Sequence, residues 1–251
     1  MTILSCIALP GIGEVRPGED LAQVLGGALA RLGEPPQPRE VLVIAQKIVS
    51  KAEGRFVSLD TVTVSARARE LAALTGKDPR LVELILSESV EVLRARPNVL
   101  IVRHRLGLVM ANAGIDRSNV GGDDRVLLLP RDPDGSAEAL RRALGERRGA
   151  ELGVVIADSF GRPWRRGVTH VALGAAGIPA LIDRRGESDR NGRRLESTEV
   201  AFADQLASTA GLLMGEAAEG IPAVLVRGAS WSAPSLGASA LIRPLSEDLF
   251  R

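Results

Sequence analysis

Short runs of Leu, Val and Ile recur along the chain at a length typical of buried strands. Runs such as ILSCIAL, VLVIA and VVIA are bounded by charged residues or by Gly and Pro. They predict strands over residues 3–9, 40–46, 61–64, 98–104, 106–112, 125–130, 152–158, 179–183 and 222–228. Two of these strands, within residues 98–112, flank Gly107 and predict a tight turn there.

Other segments have apolar residues at helical spacing. They predict helices over residues 20–32, 65–74, 78–96, 136–147 and 196–219. Asp78 is a candidate N-cap with Pro79 at the first helical position, and Ser136 is a second candidate N-cap after a DPDG turn. Strands and helices are interspersed without a strict βαβ order, so the pattern favours a mixed α/β or α+β fold.

The length and composition limit the classes of protein to consider. A chain of 251 residues forms one large domain or two interlocked subdomains, for which residues 121–136 are a candidate boundary. Thirty-two basic against 31 acidic residues, with 2% aromatic residues, disfavour a nucleic-acid-binding protein. The single cysteine excludes an intramolecular disulfide, and two distant histidines disfavour a histidine-rich zinc site. With neither a leader pattern nor a long apolar stretch, we expect a cytoplasmic protein.

Two segments could bind an anion. The chain lacks the P-loop pattern GxxxxGK[ST], but GIGEVRPG at residues 11–18 precedes a helix and could offer backbone N–H groups; an ordinary turn is the alternative. In AQKIVSK, a predicted strand ends at Gln46 and Lys47, and Lys51 follows four residues later. If a helix starts there, both lysines lie on one face and suit a polyphosphate; the alternative is a solvated basic edge.

Acidic residues follow two other predicted strands. Asp116 and Asn119 lie in a loop after residues 106–112, and Asp158 ends the predicted strand 152–158 with Ser159 next to it. Carboxylate and hydroxyl oxygens of this kind suit Mg²⁺ or Mn²⁺, although loop aspartates often serve only as turn formers. Asp158 also opens DSFGRPWRRG, a predicted loop whose arginines would attract anions.

Taken in order, several segments resemble a known family. LPGIGEVRPGEDL, VLVIAQKIVSKAEGR, ANAGIDRSN, DSFGRPWRRG, VALGAAGIP and DQLASTAGLLMGEAAEGIPAVLVRG are similar to successive signature blocks of the coenzyme F420-0:L-glutamate ligase (F420:γ-glutamyl ligase) family. The resemblance implies a GTP-dependent ligase that joins L-glutamate, and in some cases further γ-linked glutamates, to coenzyme F420-0 through an acyl phosphate. It also implies the F420:γ-glutamyl ligase fold, without a P-loop, and an intertwined homodimer.

The resemblance further implies roles for individual residues, each carried over by its position in these blocks. It implies GTP contacts at Leu9, Pro10, Gly11, Ile12, Gln46, Lys47, Lys51, Asn119, Leu213, Met214, Gly215 and Glu216. Two divalent ions, Mg²⁺ or Mn²⁺, are implied at Asp116 and Asp158, with Ser159 on a second ion and a further contact near Gly215 or Glu216; K⁺ is another candidate ion. Lys47, Lys51, Asp116 and Asp158 are thus the candidate catalytic residues.

Several assignments stay open. We expect Arg162, Arg165 and Arg166 to bind the acceptor's phosphodiester and carboxylates, an inference from charge rather than from the resemblance. Some relatives carry a C-terminal nitroreductase-like domain, for which this chain has no length, so we expect a single ligase unit over residues 1–251. The alternatives are another metal- and nucleotide-dependent ligase, a phosphohydrolase or, in a different class, a nucleic-acid-binding module.

Overall fold

The structure, a computed structural model, describes residues 3–118, 122, 124–149 and 151–248. Its strands are β1 Ser5–Ala8, β2 Val41–Ala45, β3 Phe56–Ser58, β4 Ser89–Arg96, β5 Val99–His104, β6 Val109–Ala111, β7 Arg125–Leu127, β8 Gly153–Arg162, β9 Arg165–Ala176, β10 Leu181–Asp183, β11 Glu199–Ala201 and β12 Ala223–Arg227. Its α-helices are α1 Leu21–Ala30, α2 Gln46–Ala52, α3 Ala66–Thr75, α4 Pro79–Ser87, α5 Pro133–Arg148 and α6 Phe202–Met214. The mixed class of fold predicted from the pattern is confirmed.

A five-stranded sheet in the order β1-β12-β2-β8-β9 forms the centre of the fold. Strands β2 and β8 pair in parallel, and the other neighbours are antiparallel. Because side chains alternate along a strand, Leu42 and Ile44 face the core shared with α1 and α5, whereas Val41 and Val43 face the core beside α6. Burial on both faces explains why the central strands are continuously apolar.

A second group of elements packs beside this sheet around its own core. Helices α3 and α4 cover the sheet β4-β5-β6 and the pair β3-β7, with Leu71, Val82 and Ile85 among the buried residues. Strands β5 and β6 form the hairpin expected at Gly107, whose φ is +87°. The strand pair β3-β7 leads back towards the central sheet, and Leu127 forms a backbone bridge with Asp116. The division into subdomains near residues 121–136 stays a prediction.

Two predicted helices have different bounds in the structure. The helix expected over residues 78–96 is wrong in its second half: α4 starts after the Asp78 cap, ends at Ser87, and is followed by strand β4. The apolar residues of 89–96 are spaced in a way that fits either a helix or a strand. Pairing with β5 selects the strand, because it provides hydrogen-bond partners for the backbone of this segment. Residues 196–219 likewise divide into β11 and α6.

Two smaller expectations are also wrong, and one strand was not predicted. The strand expected at residues 61–64 is absent; the strand of this region is β3, which precedes it. The N-cap of α5 is Asp132, whose carboxylate accepts from the Gly135 N–H at 3.0 Å, and Ser136 lies inside the helix. Strand β9 was not predicted, because its Ala and Gly residues are weak strand formers and only pairing with β8 fixes them. Among the described residues, no helix is both long enough and apolar enough to cross a membrane.

Candidate functional site

Helix α2 begins where strand β2 ends, and it presents two lysines at the edge of the sheet. Lys47 and Lys51 lie one turn apart, as expected if a helix follows the strand. The Lys47 ammonium lies 3.1 Å from Ser118 Oγ and 3.5 Å from Asp116 Oδ1. Lys51 is buried, and its ammonium contacts the carboxylate of Glu14. Each lysine therefore has a carboxylate neighbour.

A chain of hydrogen bonds connects α2 to Asp116. Ser50 Oγ donates to Gln46 Oε1 at 2.8 Å, and Gln46 Nε2 donates to Asp116 Oδ2 at 3.0 Å. Both Ser50 and Gln46 are buried, so they hold the carboxylate in a fixed orientation. Burial raises the pKa of Asp116, while the Lys47 ammonium and the Gln46 amide favour its charged form.

The segment before Asp116 has an unusual backbone. Asn112, Ala113 and Gly114 have φ values of 53°, 53° and 65°, so three consecutive residues lie in the left-handed region. Only Gly adopts this conformation without steric cost, and each other residue costs on the order of 1 kcal/mol. Ala113 is fully buried, and the surrounding core therefore holds this strained turn in place immediately before Asp116.

Asp158 lies within a strand, as predicted, but the strand does not end there as expected from the sequence. Strand β8 continues through Asp158 to Arg162, and Asp158 pairs with Val171 of β9. The predicted loop is thus the distal half of a β-hairpin, whose turn contains Trp164 with a φ of 56°. Burial, followed by repulsion from Asp116, raises the pKa of Asp158 to about 7, and Glu216 acts in the same direction.

The end of helix α6 brings a third carboxylate to this position. Gly215 ends the helix with a φ of 70°, and Glu216 follows it. Ser159 Oγ donates to Glu216 Oε2 at 2.7 Å, and His170 Nδ1 lies 3.7 Å from Glu216 Oε1. Residues far apart in the sequence therefore converge beside Asp158.

Asp116, Asp158 and Glu216 suit a divalent cation that is also bound by a ligand. They suit less well a cation that is coordinated by protein side chains alone. Within the described part of the chain, no three His, Cys, Asp or Glu side chains are grouped closely enough to hold a metal ion. Yet burial raises the pKa of Asp158, and the neighbouring carboxylates of Asp116 and Glu216 raise it further by repulsion. A hard cation with few protein ligands, completed by water and phosphate oxygens, would relieve this repulsion.

Two clefts meet at this cluster. One, of about 850 Å³, extends along the β8–β9 hairpin, and the other, of about 580 Å³, lies between the loop after β1, helix α2 and the turn after α6. The two clefts share Lys47, Asp158, Ser159 and Glu216. These four residues form a common wall, so ligands in the two clefts would meet there.

The structure does not bring all the predicted site residues to the clefts. Of the first loop, Ile12 lines the smaller cleft, whereas Leu9, Pro10 and Gly11 do not. The Pro10 carbonyl accepts from the Arg31 guanidinium at 3.0 Å, as does that of Gly11.

The other predicted residues are also divided. The smaller cleft is lined by Gln46, Lys51, Met214 and Gly215. The larger cleft is lined by Asp116, Arg162 and Arg165. Leu213 packs in the core beside α6. Arg166 does not line either cleft, and its carbonyl accepts from the Arg162 guanidinium at 3.4 Å. Asn119 lies outside the described residues.

Three residues of the site were not predicted from the sequence. Glu14 was visible as a lone acid in a glycine-rich loop, but nothing local indicated that it faces Lys51. Ser118 lies two residues beyond Asp116 and contacts Lys47. His170 belongs to the unpredicted strand β9, and its contact with Glu216 depends entirely on packing against α6.

Comparison with known proteins identifies the family of this chain. Residues 11–228 match the model of the F420-0:gamma-glutamyl ligase family. Coenzyme F420:L-glutamate ligase of Methanothermobacter thermautotrophicus is 47% identical over 250 residues, covering 99% of each chain. Coenzyme F420:L-glutamate ligase of Methanopyrus kandleri is 49% identical, and the match covers 95% of this chain and 94% of the relative. Coenzyme F420:L-glutamate ligase of Haloarcula marismortui is 43% identical, and the match covers 99% of this chain and 96% of the relative. The chain therefore belongs to the F420-0:gamma-glutamyl ligase family.

Proposed function

We propose that this protein is a GTP-dependent ligase that joins the amino group of L-glutamate to the terminal carboxylate of coenzyme F420-0 and releases GDP and phosphate. The observation that carries the proposal is the wall shared by the two clefts. A ligase of this kind must bring a nucleotide phosphate and an acidic acceptor together. The shared wall carries the Lys47 ammonium group as well as the carboxylates of Asp158 and Glu216. Family membership, with the names of the relatives, supports the same substrates.

We assign the nucleotide to the smaller cleft. Lys47 and the buried Lys51 supply positive charge for its phosphates, and Gln46 lies beside them. Ile12, Met214, Gly215 and Glu216 line this cleft. We extend the nucleotide site from them to Leu9, Pro10, Gly11, Leu213 and Asn119. Phosphate binding would displace Glu14 from Lys51, because the two anions would compete for one ammonium.

We assign divalent ions, Mg²⁺ or Mn²⁺, to Asp116, Asp158 and Ser159, with Glu216 or Gly215 as a further contact and K⁺ as an additional candidate. Such ions neutralise phosphate oxygens and reduce the repulsion between two reacting anions. Gln46 orients Asp116, and Asp158 lies on the wall where the two clefts meet. Lys47, within 3.5 Å of Asp116 Oδ1, can contact a phosphate while remaining next to the ion site.

We assign coenzyme F420-0 to the larger cleft. Arg162 and Arg165 of the hairpin line it and provide charge for a phosphodiester and a carboxylate, and Arg166 is adjacent on β9. Met110, Phe160 and Val168 add apolar surface suited to a flat ring system. The terminal carboxylate of the acceptor would then lie at the shared wall.

The chemistry proceeds in two steps. A carboxylate oxygen of the acceptor attacks the γ-phosphorus of GTP, the bond to the β-phosphate oxygen breaks, and GDP leaves. The glutamate nitrogen then attacks the acyl carbon, phosphate leaves, and the amine gives up a proton to form the amide. Lys47 and Lys51 stabilise the phosphate charge in the first step. The same proposal includes the addition of further γ-linked glutamates and the assembly of the protein as an intertwined homodimer.

Dependence of GTP turnover on the other substrates tests this function. GDP release should require both L-glutamate and coenzyme F420-0, whereas a phosphohydrolase would release GDP without them. Asp116→Asn and Asp158→Asn should each abolish turnover while leaving the thermal unfolding transition cooperative. Full turnover by both variants would contradict the ion site, and substrate-independent GDP release would favour a phosphohydrolase.

A further inference from the structure

The imidazole of His170 lies between strand β9 and helix α6, next to the shared wall. His170 pairs with Ser159 across the β8–β9 hairpin, so the two side chains belong to neighbouring positions of the sheet. Its carbonyl accepts from Ser208 Oγ at 2.7 Å, and Ser208 Oγ lies 3.0 Å from Thr169 Oγ1. The backbone of His170 is thus attached to α6 independently of its ring.

Gly211 of α6 creates the space that the ring occupies. A Cβ atom at this position would lie 2.1 Å from His170 Nδ1 and 2.8 Å from its Cγ, far inside van der Waals contact. Glycine is unfavourable in the middle of a helix, so its presence here is explained by the close approach of the imidazole. The ring is buried, but it still lines the smaller cleft.

Glu216 lies between a hydroxyl group and an imidazole ring. Ser159 Oγ bonds one carboxylate oxygen at 2.7 Å, and His170 Nδ1 lies 3.7 Å from the other. The latter distance is too long for a hydrogen bond, so the imidazole contacts the carboxylate by packing beside it. Glu216 itself follows the turn at Gly215 and is half exposed, so its backbone alone does not fix its carboxylate.

We propose that His170 is a positioning residue: it holds the carboxylate of Glu216 and, through it, the hydroxyl of Ser159 in the orientation that the divalent-ion site requires. This inference rests on the proposed function, because it assumes that an ion binds at the shared wall. Groups that orient metal ligands typically change metal affinity by about 10–100-fold when they are removed. His170 acts in this way at a distance from the reacting atoms.

Binding of Mn²⁺ alone, followed by electron paramagnetic resonance of the free ion, tests the proposal without any catalysis. His170→Phe keeps a ring but removes the polar ring nitrogens, and Gly211→Ala displaces the ring without changing it. Both should weaken Mn²⁺ binding by about tenfold or more. His170→Asn places an amide nitrogen at the position of Nδ1 and should restore binding to within about threefold of the wild type.

Ser208→Ala is the matched control, because it removes the hydrogen bond to the His170 backbone but leaves the imidazole beside Glu216. Its Mn²⁺ affinity should equal that of the wild type. Wild-type affinity in His170→Phe, equal losses in His170→Asn and His170→Phe, or an equal loss in Ser208→Ala would each overturn the positioning role. Absence of Mn²⁺ binding by the wild type would overturn it as well.

Kinetic measurements separate this inference from the proposed function. In the ligase reaction, His170→Phe should raise the Mn²⁺ concentration needed for half-maximal rate by about tenfold, with kcat at saturating Mn²⁺ close to wild type. A large loss of kcat that Mn²⁺ does not restore would contradict a positioning role. If the wild type binds Mn²⁺ but forms no product, the proposed function fails, while the binding series still decides the role of His170.

Discussion

Replacing Glu88 by Gln should destabilise the protein in a pH-dependent manner. Glu88 is the C-cap residue that follows helix α4, and its largely buried carboxylate faces His104, Arg55 and Arg105. Arg55 also donates to the carbonyl of Leu129, so this cluster attaches α4 to the segment that follows β7. The interactions with His104, Arg55 and Arg105 lower the pKa of Glu88 from 4.5 to about 2.

The magnitude follows from this difference in pKa. About 2.5 pKa units, at about 1.4 kcal/mol each, correspond to about 3 kcal/mol of unfolding free energy. Because the folded-state pKa is the lower one, this stabilisation is fully present above pH 4.5 and is lost as the pH falls towards 2. Glu88→Gln should therefore cost about 3 kcal/mol at pH 7, and about 2 kcal/mol of that difference should have disappeared by pH 3.

Urea denaturation followed by circular dichroism, at one protein concentration and several pH values between 7 and 3, measures this effect. Glu70→Gln is the matched control: Glu70 pairs with Arg67 on the surface of α3, and both side chains are more than half exposed. Such a pair contributes under about 1 kcal/mol, so the control should stay near the wild type at every pH. A Glu88→Gln difference that is constant from pH 7 to pH 3 would refute the reasoning.

Three further substitutions address the clefts and the packing. Lys51→Met should raise KM for GTP by about 10–100-fold, because a charge-assisted hydrogen bond contributes about 1.5–3 kcal/mol; an unchanged KM would exclude a phosphate contact. Arg165→Ala should raise KM for the acceptor by about tenfold and leave KM for GTP unchanged, as measured by initial rates. Gly174→Ala should lower the unfolding free energy by about 1–3 kcal/mol in urea titrations without changing either KM, because a Cβ would lie 2.2 Å from the Pro133 carbonyl oxygen.

The central sheet and the lysine helix could be predicted from local pattern. Strand β2, residues 153–157 of β8 and residues 223–226 of β12 are continuously apolar, and the two lysines after β2 are spaced for one helical face. Local pattern failed where tertiary pairing decides the structure. Strand β9 is rich in Ala and Gly and is held by β8, and residues 89–96 leave the helix because they pair with β5.

In the candidate site too, some residues could be predicted from local pattern and others could not. Asp116 and Asp158 each follow or belong to an apolar strand, so their convergence with Lys47 could be expected from the sequence. The contacts of Glu14 with Lys51 and of His170 with Glu216 join segments far apart in the chain. No local periodicity encodes these contacts; they follow from how the loop after β1 and the end of α6 pack against the sheet.

The central claim is that this protein forms an amide between L-glutamate and coenzyme F420-0 at the wall shared by its two clefts. The most direct measurement is mass spectrometry of the acceptor after incubation with L-glutamate, GTP and Mn²⁺ or Mg²⁺. The account predicts a mass increase of one or more glutamyl residues that requires GTP and disappears in Asp158→Asn. An acceptor of unchanged mass across varied metal conditions, with folded wild-type protein, would contradict it.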